Sequence, residues 1–358
     1  MAGLYIHIPF CKSRCLYCDF FSTTLLERQE AYISAVCQEI SQRLSELQEP
    51  IETVYIGGGT PSTLPISYLT RIASVLHPFR FREVTMELNP GDATEEYVRA
   101  LREIGINRLS IGIQSFQDKL LRLIGRRHNA AQAIEAVQMA QKAGFDNISI
   151  DLMYALPTQT MAQWKADIET ALNLHVQHIS SYGLMYEEGT AITQMLNNGE
   201  IEAIDEDIEN DMYDFLCERL QQAGFSHYEV SNFALPGYES QHNSSYWNGT
   251  PYLGVGAGAH SYISNVRSWN PNDLEAYIRG IENGKLVRES ETLTDEDRYN
   301  EHIMLALRTR QGILRTDIKA DIDHFLEAEV LRATEDGHIV ATQQGLHILN
   351  VIIEELMI

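Results

Sequence analysis

The stretch LYIHIPFCKSRCLYCDF, residues 4–20, joins a strand-like run to three closely spaced cysteines. Residues 4–8 are rich in Ile, Leu and Tyr, which is typical of a buried strand. Cys11, Cys15 and Cys18 follow in the spacing C-x3-C-x2-C, so one short loop can bring three thiols to one centre. Thiolates select iron–sulfur clusters, zinc or copper(I). Structural zinc sites and electron-transfer clusters generally use four protein ligands, so three cysteines predict a centre with one open position.

Downstream of this loop, short β-branched or aromatic runs alternate with longer helical stretches. The predicted strands are residues 4–8, 53–56, 83–88, 108–113, 147–152 and 178–184. The predicted helices are residues 27–47, 66–77, 95–104, 130–143 and 161–172, with Asp92 and Thr94 as candidate N-caps. Strands joined by helix-sized connections form βαβ units with a parallel sheet. We therefore expect an α/β fold in which residues 1–230 form a partial (β/α)6 barrel of the TIM type.

The pattern changes after residue 230. Residues 231–292 contain a stretch, 232–262, that is rich in Gly, Ser, Asn and aromatic residues and has no periodicity. Long stretches without secondary structure are usually functional or disordered, and the aromatic residues here favour an ordered functional loop. Residues 293–358 return to a helical pattern. An extended segment at 338–341 and a terminal helix at 344–356 predict a smaller, α-rich, winged-helix-like domain.

Composition narrows the possible partners. The 358 residues carry 27 Lys and Arg against 50 Asp and Glu, a net charge of −23, which argues against nucleic acid and anionic membranes as partners. No apolar run is long enough for a membrane span, and the N-terminus does not resemble a signal peptide. Five cysteines are an odd number and predict no disulfide framework, so we expect a cytoplasmic protein, with Cys37 and Cys217 as buried apolar residues.

The cysteine loop has an alternative interpretation as a zinc site. His7 could then be a fourth ligand, or the three thiols could be unligated. A structural zinc site generally adds a second C-x2-C or a pair of histidines downstream, and the sequence has neither. A zinc-stabilised binding protein without a redox role therefore stays open as a third hypothesis.

The cysteine spacing, with Tyr17 directly before the third cysteine, resembles the radical S-adenosylmethionine (SAM) superfamily. The resemblance implies a [4Fe-4S] cluster held by Cys11, Cys15 and Cys18, with SAM bound at the open iron through its amino and carboxylate groups. It also implies an electron donor for the cluster. The resemblance leaves open whether SAM is cleaved as part of the function, and hence whether the protein is an enzyme.

Motifs at the ends of the later strands extend the resemblance. The chain resembles the branch that contains the oxygen-independent coproporphyrinogen III oxidases in six motifs: YIHIPFC, GGGTP, ELNP, GIQSF, GRRH and DLMYALP. Taken singly, these strand-end residues are more often structural, and Arg126 has the least certain alignment. At the positions where the motifs match, the resemblance implies SAM contacts by Tyr5, Gly58, Gly59, Thr60, Glu87, Gln114, Arg126 and Asp151.

Two functions compete within this branch. Oxidases carry a further cysteine two residues after the third, where this chain has Phe20, and a longer N-terminal segment, so we expect a different function. HNSSYW at residues 242–247 resembles the signature of the HemW-type heme chaperones, which implies heme binding by His242, Asn243, Tyr246 and Trp247. Imidazole is a common heme ligand and aromatic rings can cover a porphyrin face. We expect a heme chaperone that delivers heme to an acceptor, such as a respiratory hemoprotein, with the oxidase as the alternative.

Overall fold

Six consecutive strands form the centre of the molecule. The structure is a computed structural model that describes residues 1–77, 79–285 and 288–358. The strands are β1 (Ala2–Ile8), β2 (Ile51–Gly58), β3 (Glu83–Leu88), β4 (Arg108–Gln114), β5 (Ile148–Tyr154) and β6 (His178–Gly183). Each pairs in parallel with the next along the chain. The predicted partial barrel is therefore confirmed.

Helices connect these strands, and further helices follow β6. Those between the strands are α1 (Gln29–Arg43), α2 (Ile66–Leu76), α3 (Glu95–Glu103), α4 (Asp118–Leu123), α5 (Ala130–Lys142) and α6 (Met161–Asn173), whereas α7 (Ala191–Asn197) and α8 (Glu206–Gln222) follow β6. Short 3-10 turns lie at Leu26–Arg28, Leu44–Glu46, Pro61–Thr63, Pro90–Asp92 and Arg315–Asp317. The strands are largely buried, as expected when helices cover a parallel sheet.

The two predicted N-caps have different outcomes. The Thr94 hydroxyl accepts a hydrogen bond from the Tyr97 amide and caps α3, which confirms that prediction. The N-cap role predicted for Asp92 is wrong. Asp92 lies in a 3-10 turn, where its carboxylate forms ion pairs with Lys12 and Arg127 instead of accepting from a helix.

The prediction that residues 232–262 lack regular structure is also wrong. This stretch contains β8 (Asn232–Ala234), α9 (Gln241–Trp247), β9 (Tyr252–Val255) and nearly all of β10 (His260–Ile263). It is preceded by β7 (Ser226–Glu229) and followed by β11 (Val266–Trp269), α10 (Leu274–Glu282) and β12 (Glu289–Thr292). Each of these strands has only three or four residues, which is too short to show a period. They extend the barrel sheet, whose order is β12-β11-β10-β9-β1-β2-β3-β4-β5-β6-β8-β7.

Helix α9 lies across the N-terminal ends of the first barrel strands. Ser240 caps it, and the Glu83 carboxylate at the start of β3 accepts from the amides of Gln241 and His242, both at 2.9 Å. A carboxylate at this position also interacts favourably with the helix dipole. Strand β9, which follows α9, then pairs in parallel with β1. The HNSSYW motif is therefore helical and forms the floor of the barrel.

The last part of the chain has a hydrophobic core of its own. It comprises α11 (Asp295–Ala306), β13 (Ile313–Leu314), α12 (Asp323–Glu327), β14 (Leu331–Ala333), β15 (His338–Ala341), α13 (Gln343–His347) and α14 (Leu349–Leu356). The three strands form a separate antiparallel sheet in the order β13-β15-β14. The predicted extended segment corresponds to β15, whereas the predicted terminal helix is divided in two at Ile348. Among the described residues, no helix is both long and apolar enough to cross a bilayer.

Candidate functional site

A cavity of about 510 Å³ opens at the C-terminal ends of the barrel strands. This is the edge at which parallel barrels place their functional groups. All three clustered cysteines line the cavity, and so do all eight residues that the motifs suggest as SAM contacts. Strand-end residues that are distant in sequence thus surround one space.

The cysteine loop is held to the barrel by backbone hydrogen bonds. The Cys11 amide donates to the Thr23 carbonyl at 2.8 Å, and the Thr23 amide donates to the Pro9 carbonyl at 2.7 Å. The Cys11 thiol lies 3.3 Å from the Thr60 hydroxyl on the neighbouring loop. Burial raises the pKa of the Cys11 thiol, and it raises the pKa of Cys18 to about 11. The Cys11 and Cys18 thiols therefore hold their protons, and binding of a metal centre must displace them.

No three His, Cys, Asp or Glu side chains within the described ranges come close enough together to share one metal ion. A [4Fe-4S] cluster binds each thiolate at a different iron, so it does not require such convergence. Arg126 extends into the same space, with its Nη1 3.4 Å from the Cys15 Sγ.

The glycines after β2 allow the backbone to approach its surroundings closely. Gly58 has a φ of +113°, and a Cβ there would lie 2.6 Å from the His7 ring. A Cβ on Gly59 would lie 2.7 Å from the Pro9 carbonyl oxygen and 3.0 Å from the Cys11 Sγ. Side chains at either position would therefore fill the space between the cysteine loop and β2.

Glu87, at the end of β3, faces the cavity with two protein donors. Its carboxylate accepts from the Tyr55 hydroxyl at 3.0 Å and from the Gly58 amide at 3.1 Å. Burial, followed by the nearby charge of Asp151, raises the pKa of Glu87 to about 8. A buried carboxyl of this kind is suited to pair with a cationic ligand group.

The ends of β4 and β5 provide polar groups of both charges. Asp151 accepts from the Ser110 hydroxyl at 3.1 Å, and burial raises the pKa of its carboxyl. Arg126 donates through Nη2 to the Gly112 carbonyl, while its buried Nε has no partner among the described residues. Gln114 has a φ of +72°, an uncommon conformation for a residue other than glycine, and such strain tends to occur at functional sites.

His242, in α9, is fully buried beneath this cavity. Its Nδ1 lies 2.9 Å from the Thr53 hydroxyl, and its Nε2 lies 2.9 Å from the Tyr246 hydroxyl. Burial lowers the pKa of its imidazole to about 3, so the ring is neutral. Both ring nitrogens therefore already have protein partners.

Comparison with known proteins places these features in a family. The sequence model of the radical SAM superfamily matches residues 5–171. The heme chaperone HemW of Lactococcus lactis is 40% identical over 87% of this chain and 82% of that protein. HemW of Bacillus subtilis is 37% identical over 87% of this chain and 85% of that protein. The chain belongs to the HemW family of the radical SAM superfamily.

A solved structure supports the fold of this HemW-family chain. The fold described above resembles that of coproporphyrinogen III oxidase (HemN) from Escherichia coli, with a TM-score of 0.84 over 99% of this chain and 90% of that chain. The two sequences are 22% identical, so the likeness shows a shared fold. A mitochondrial relative in Danio rerio, radical SAM domain-containing protein 1, is 32% identical over 87% of this chain and 74% of that protein.

The residues of the HemW-type motif do not share one site. Asn243 lines the barrel cavity, whereas Tyr246 and Trp247 line a separate cleft on the other side of α9. His242 lies between them in the barrel floor. The sequence of this motif does not indicate that its side chains face two different cavities, because its spacing is consistent with either a loop or a helix.

Arg108 is a cavity residue that the motifs did not identify. It is buried at the start of β4, and its Nε and Nη1 have no hydrogen-bond partner among the described residues. The available signal was a lone arginine in the otherwise mainly apolar strand RLSIGIQ. A buried guanidinium without a partner is costly unless a ligand supplies an anion.

Proposed function

We propose that the protein is a heme chaperone that carries a [4Fe-4S] cluster and SAM in its barrel and delivers heme to an acceptor protein. The observation that carries the proposal is its membership of the HemW family over 86% or more of the chain. The HNSSYW motif at the barrel floor supports the same proposal from the sequence side. The acceptor and the electron donor are further proteins that the proposal requires.

The barrel cavity suits the cluster and SAM. Cys11, Cys15 and Cys18 would hold the cluster, since their thiols line the same cavity. Glu87 would bind the SAM ammonium group, because its carboxylate faces the cavity and pairs only with neutral donors. Arg126, with an unpartnered Nε, would neutralise the SAM carboxylate. When bound, the reduced cluster supplies the electron that cleaves SAM, and that chemistry belongs to the cofactor.

The remaining SAM contacts would come from the same strand ends. Gly58, Gly59 and Thr60 would provide close backbone approach, while Tyr5, Gln114 and Asp151 would orient the ligand from the barrel wall. We place the protein in the cytoplasm, because all five cysteines are free thiols, as a reducing compartment favours.

The oxidase is a less favoured alternative. Phe20 occupies the position where the oxidases carry a further cysteine, and its side chain is exposed at the rim of the cavity. A phenyl ring cannot replace a thiol in proton or electron transfer. The likeness to HemN concerns the fold alone.

Heme titration tests the proposal. Anaerobically reconstituted protein is titrated with heme, the Soret band is followed, and the loaded protein is then mixed with an apo-hemoprotein. We expect saturation near one heme per chain and transfer of the Soret signal to the acceptor. Absence of saturable binding by the wild-type protein would overturn the chaperone proposal. Iron and acid-labile sulfide at four per chain distinguish the cluster from the zinc alternative.

A further inference from the structure

A second large cavity lies between the barrel sheet and the C-terminal domain. This interdomain cleft has a volume of about 950 Å³ and is separate from the barrel cavity. Tyr246 and Trp247 of α9 contribute to one wall, and α11 contributes to the other. Small-molecule sites have volumes of roughly 300–1,000 Å³, so the cleft is large enough for a macrocycle.

The barrel-side wall of the cleft is aromatic. The Tyr246 and Tyr252 rings meet edge to face with centroids 4.7 Å apart, and Tyr262 follows with its ring centroid 6.5 Å from that of Tyr252. Trp247 adds an indole to the same wall. The Tyr246 hydroxyl is held by a hydrogen bond with the Nε2 of the buried His242. The wall therefore presents ordered aromatic surface, which is suited to a flat apolar ligand.

The opposite wall is one face of α11. Arg298, Glu301, His302 and Leu305 recur at the i, i+3, i+4 and i+7 positions, and all four line the cleft. His302 is exposed, so its imidazole is accessible to a ligand in the cleft.

Two histidines of the C-terminal domain line the cleft, and each has a carboxylate at one ring nitrogen. The Nε2 of His302 lies 3.6 Å from the Asp317 carboxylate, and the Nδ1 of His338 lies 3.2 Å from that of Asp336. In the part of the chain that the structure describes, the other nitrogen of each ring has no hydrogen-bond partner. Neither contact has the geometry of a hydrogen bond. A carboxylate next to one ring nitrogen would nevertheless orient the ring once the second nitrogen binds a metal, as it does for most histidine metal ligands.

The cleft is also less acidic than the rest of the protein. Its lining has three arginines, Arg267, Arg298 and Arg310, against three acids, Glu239, Glu301 and Asp317, whereas the whole chain has 27 basic and 50 acidic residues. Arg310 is exposed and donates to the Ser226 hydroxyl at 2.6 Å. No carboxylate within the described residues forms an ion pair with it, so its guanidinium is available to an anionic ligand.

We propose that heme binds in this interdomain cleft and that its iron is ligated by a histidine of the C-terminal domain, His302 or His338, rather than by His242. The porphyrin would lie along the aromatic wall, with Arg310 pairing a propionate. This inference rests on the proposed function as a heme-binding protein. It assigns His242 a positioning role, since both of its nitrogens are engaged and the ring is buried.

The experiment compares heme titrations of four proteins, all checked for folding by circular dichroism. They are the wild type, the double variant His302→Ala with His338→Ala, the variant His242→Ala, and the control His324→Ala. His324 is a suitable control because it is a half-exposed histidine of the same domain that pairs with Glu355 outside the cleft. We expect the double variant to bind heme at least about tenfold more weakly and with a shifted Soret band, and added imidazole to restore the wild-type spectrum.

We expect the His324 and His242 variants to keep the wild-type Soret position, and Arg310→Gln to weaken binding without moving the band. A double variant that titrates like the wild type would overturn the cleft assignment. So would loss of the ligated spectrum in a folded His242→Ala protein. These failures differ from failure of the proposed function, in which the wild type itself would not bind heme.

Discussion

The Nδ1 of His242 lies 2.9 Å from the hydroxyl of Thr53, and this hydrogen bond joins α9 to β2 at the floor of the barrel. The other nitrogen of the ring holds Tyr246, which lines the interdomain cleft. One neutral imidazole therefore connects the barrel to the wall of a second cavity. Its role in the structure is to position α9.

Replacing His242 should lower stability. His242→Ala leaves the buried Thr53 hydroxyl without its partner and opens space in the barrel floor, so we expect a loss of about 1–3 kcal/mol in the free energy of unfolding. Chemical denaturation of the apo-protein at neutral pH measures it. The exposed control His324→Ala should change stability by no more than a few tenths of a kcal/mol. Equal stability of the His242 variant and the wild type would contradict the positioning role.

Two buried arginines should respond in opposite ways to the same substitution. Arg43 pairs with Glu39 at 2.8 Å and with Glu46 at 3.1 Å, whereas Arg108 has two unpartnered nitrogens. Arg43→Met leaves the buried Glu39 charge without its cation and should cost about 3–5 kcal/mol. Arg108→Met removes a buried unpaired charge and should stabilise the ligand-free protein by about 1–3 kcal/mol. Thermal unfolding of both variants measures the contrast. A destabilised Arg108→Met protein would show that Arg108 is satisfied in the apo state.

The affinity for SAM should rise with pH between about 6.5 and 8. The pKa of Glu87 is raised to about 8 in the ligand-free barrel, so its carboxyl holds a proton at neutral pH. The SAM ammonium group binds to the ionised carboxylate, so binding releases a proton. Below the pKa of Glu87, the affinity for SAM therefore rises by at most about tenfold for each pH unit. Titration calorimetry of the reconstituted protein in two buffers measures both effects. Glu87→Gln should bind weakly and lose the pH dependence.

Protonation of the Glu87 carboxyl also makes the stability of the fold depend on pH. A carboxyl whose folded pKa is raised stabilises the folded state at low pH, and this contribution is lost as pH rises through its unfolded value toward about 8. The stability of the wild type relative to Glu87→Gln should therefore fall across this window in the ligand-free protein. A constant difference between the two proteins would show that the carboxyl is ionised throughout.

Each clustered cysteine should be needed for the cluster and dispensable for the barrel. Cys11→Ala, Cys15→Ala and Cys18→Ala remove one thiolate each from a loop at the rim of the sheet, so we expect the broad visible absorbance and about four iron atoms per chain to be lost. Cooperative unfolding should persist, since the apolar core is unchanged. Cys37→Ala, in α1, is the matched control and should keep the iron. A variant of the loop that retains full iron and sulfide content would remove that cysteine from the ligand set.

The barrel could be predicted because its strands and helices are each indicated by a short, continuous stretch of sequence. Strands β1 to β5 have six to eight residues with many apolar side chains, and each carries one of the quoted motifs at its end. The helices between the strands have ordinary lengths. The residues around the barrel cavity came from those strand ends. Asp92 was misassigned because ion pairs with Lys12 and Arg127 across the fold outweigh a local capping preference.

The floor and the cleft could not be predicted because they depend on non-local pairing. The strands from β9 to β12 have four residues each. The place of β9 in the sheet is set by β1, more than 200 residues away, and β10, β11 and β12 follow from the pairing of β9. The histidines of the cleft lie on different elements, α11 and β15, which only the tertiary structure brings together. Arg108 could not be predicted as a site residue, because its lack of hydrogen-bond partners becomes evident only when the positions of the surrounding atoms are known.

The parallel pairing of β1 with β9 has a consequence for biosynthesis. Strand β1 leaves the ribosome long before β9, the strand that covers its second edge and ends at Val255. At a translation rate of roughly 5–20 residues per second, the edge beside the cysteine loop stays uncovered for about 12–50 s. Exposed strand edges can pair with other nascent chains. A chain that is cut short before Tyr252 would keep that edge open permanently, so we expect such truncations to aggregate even though all six barrel strands are present.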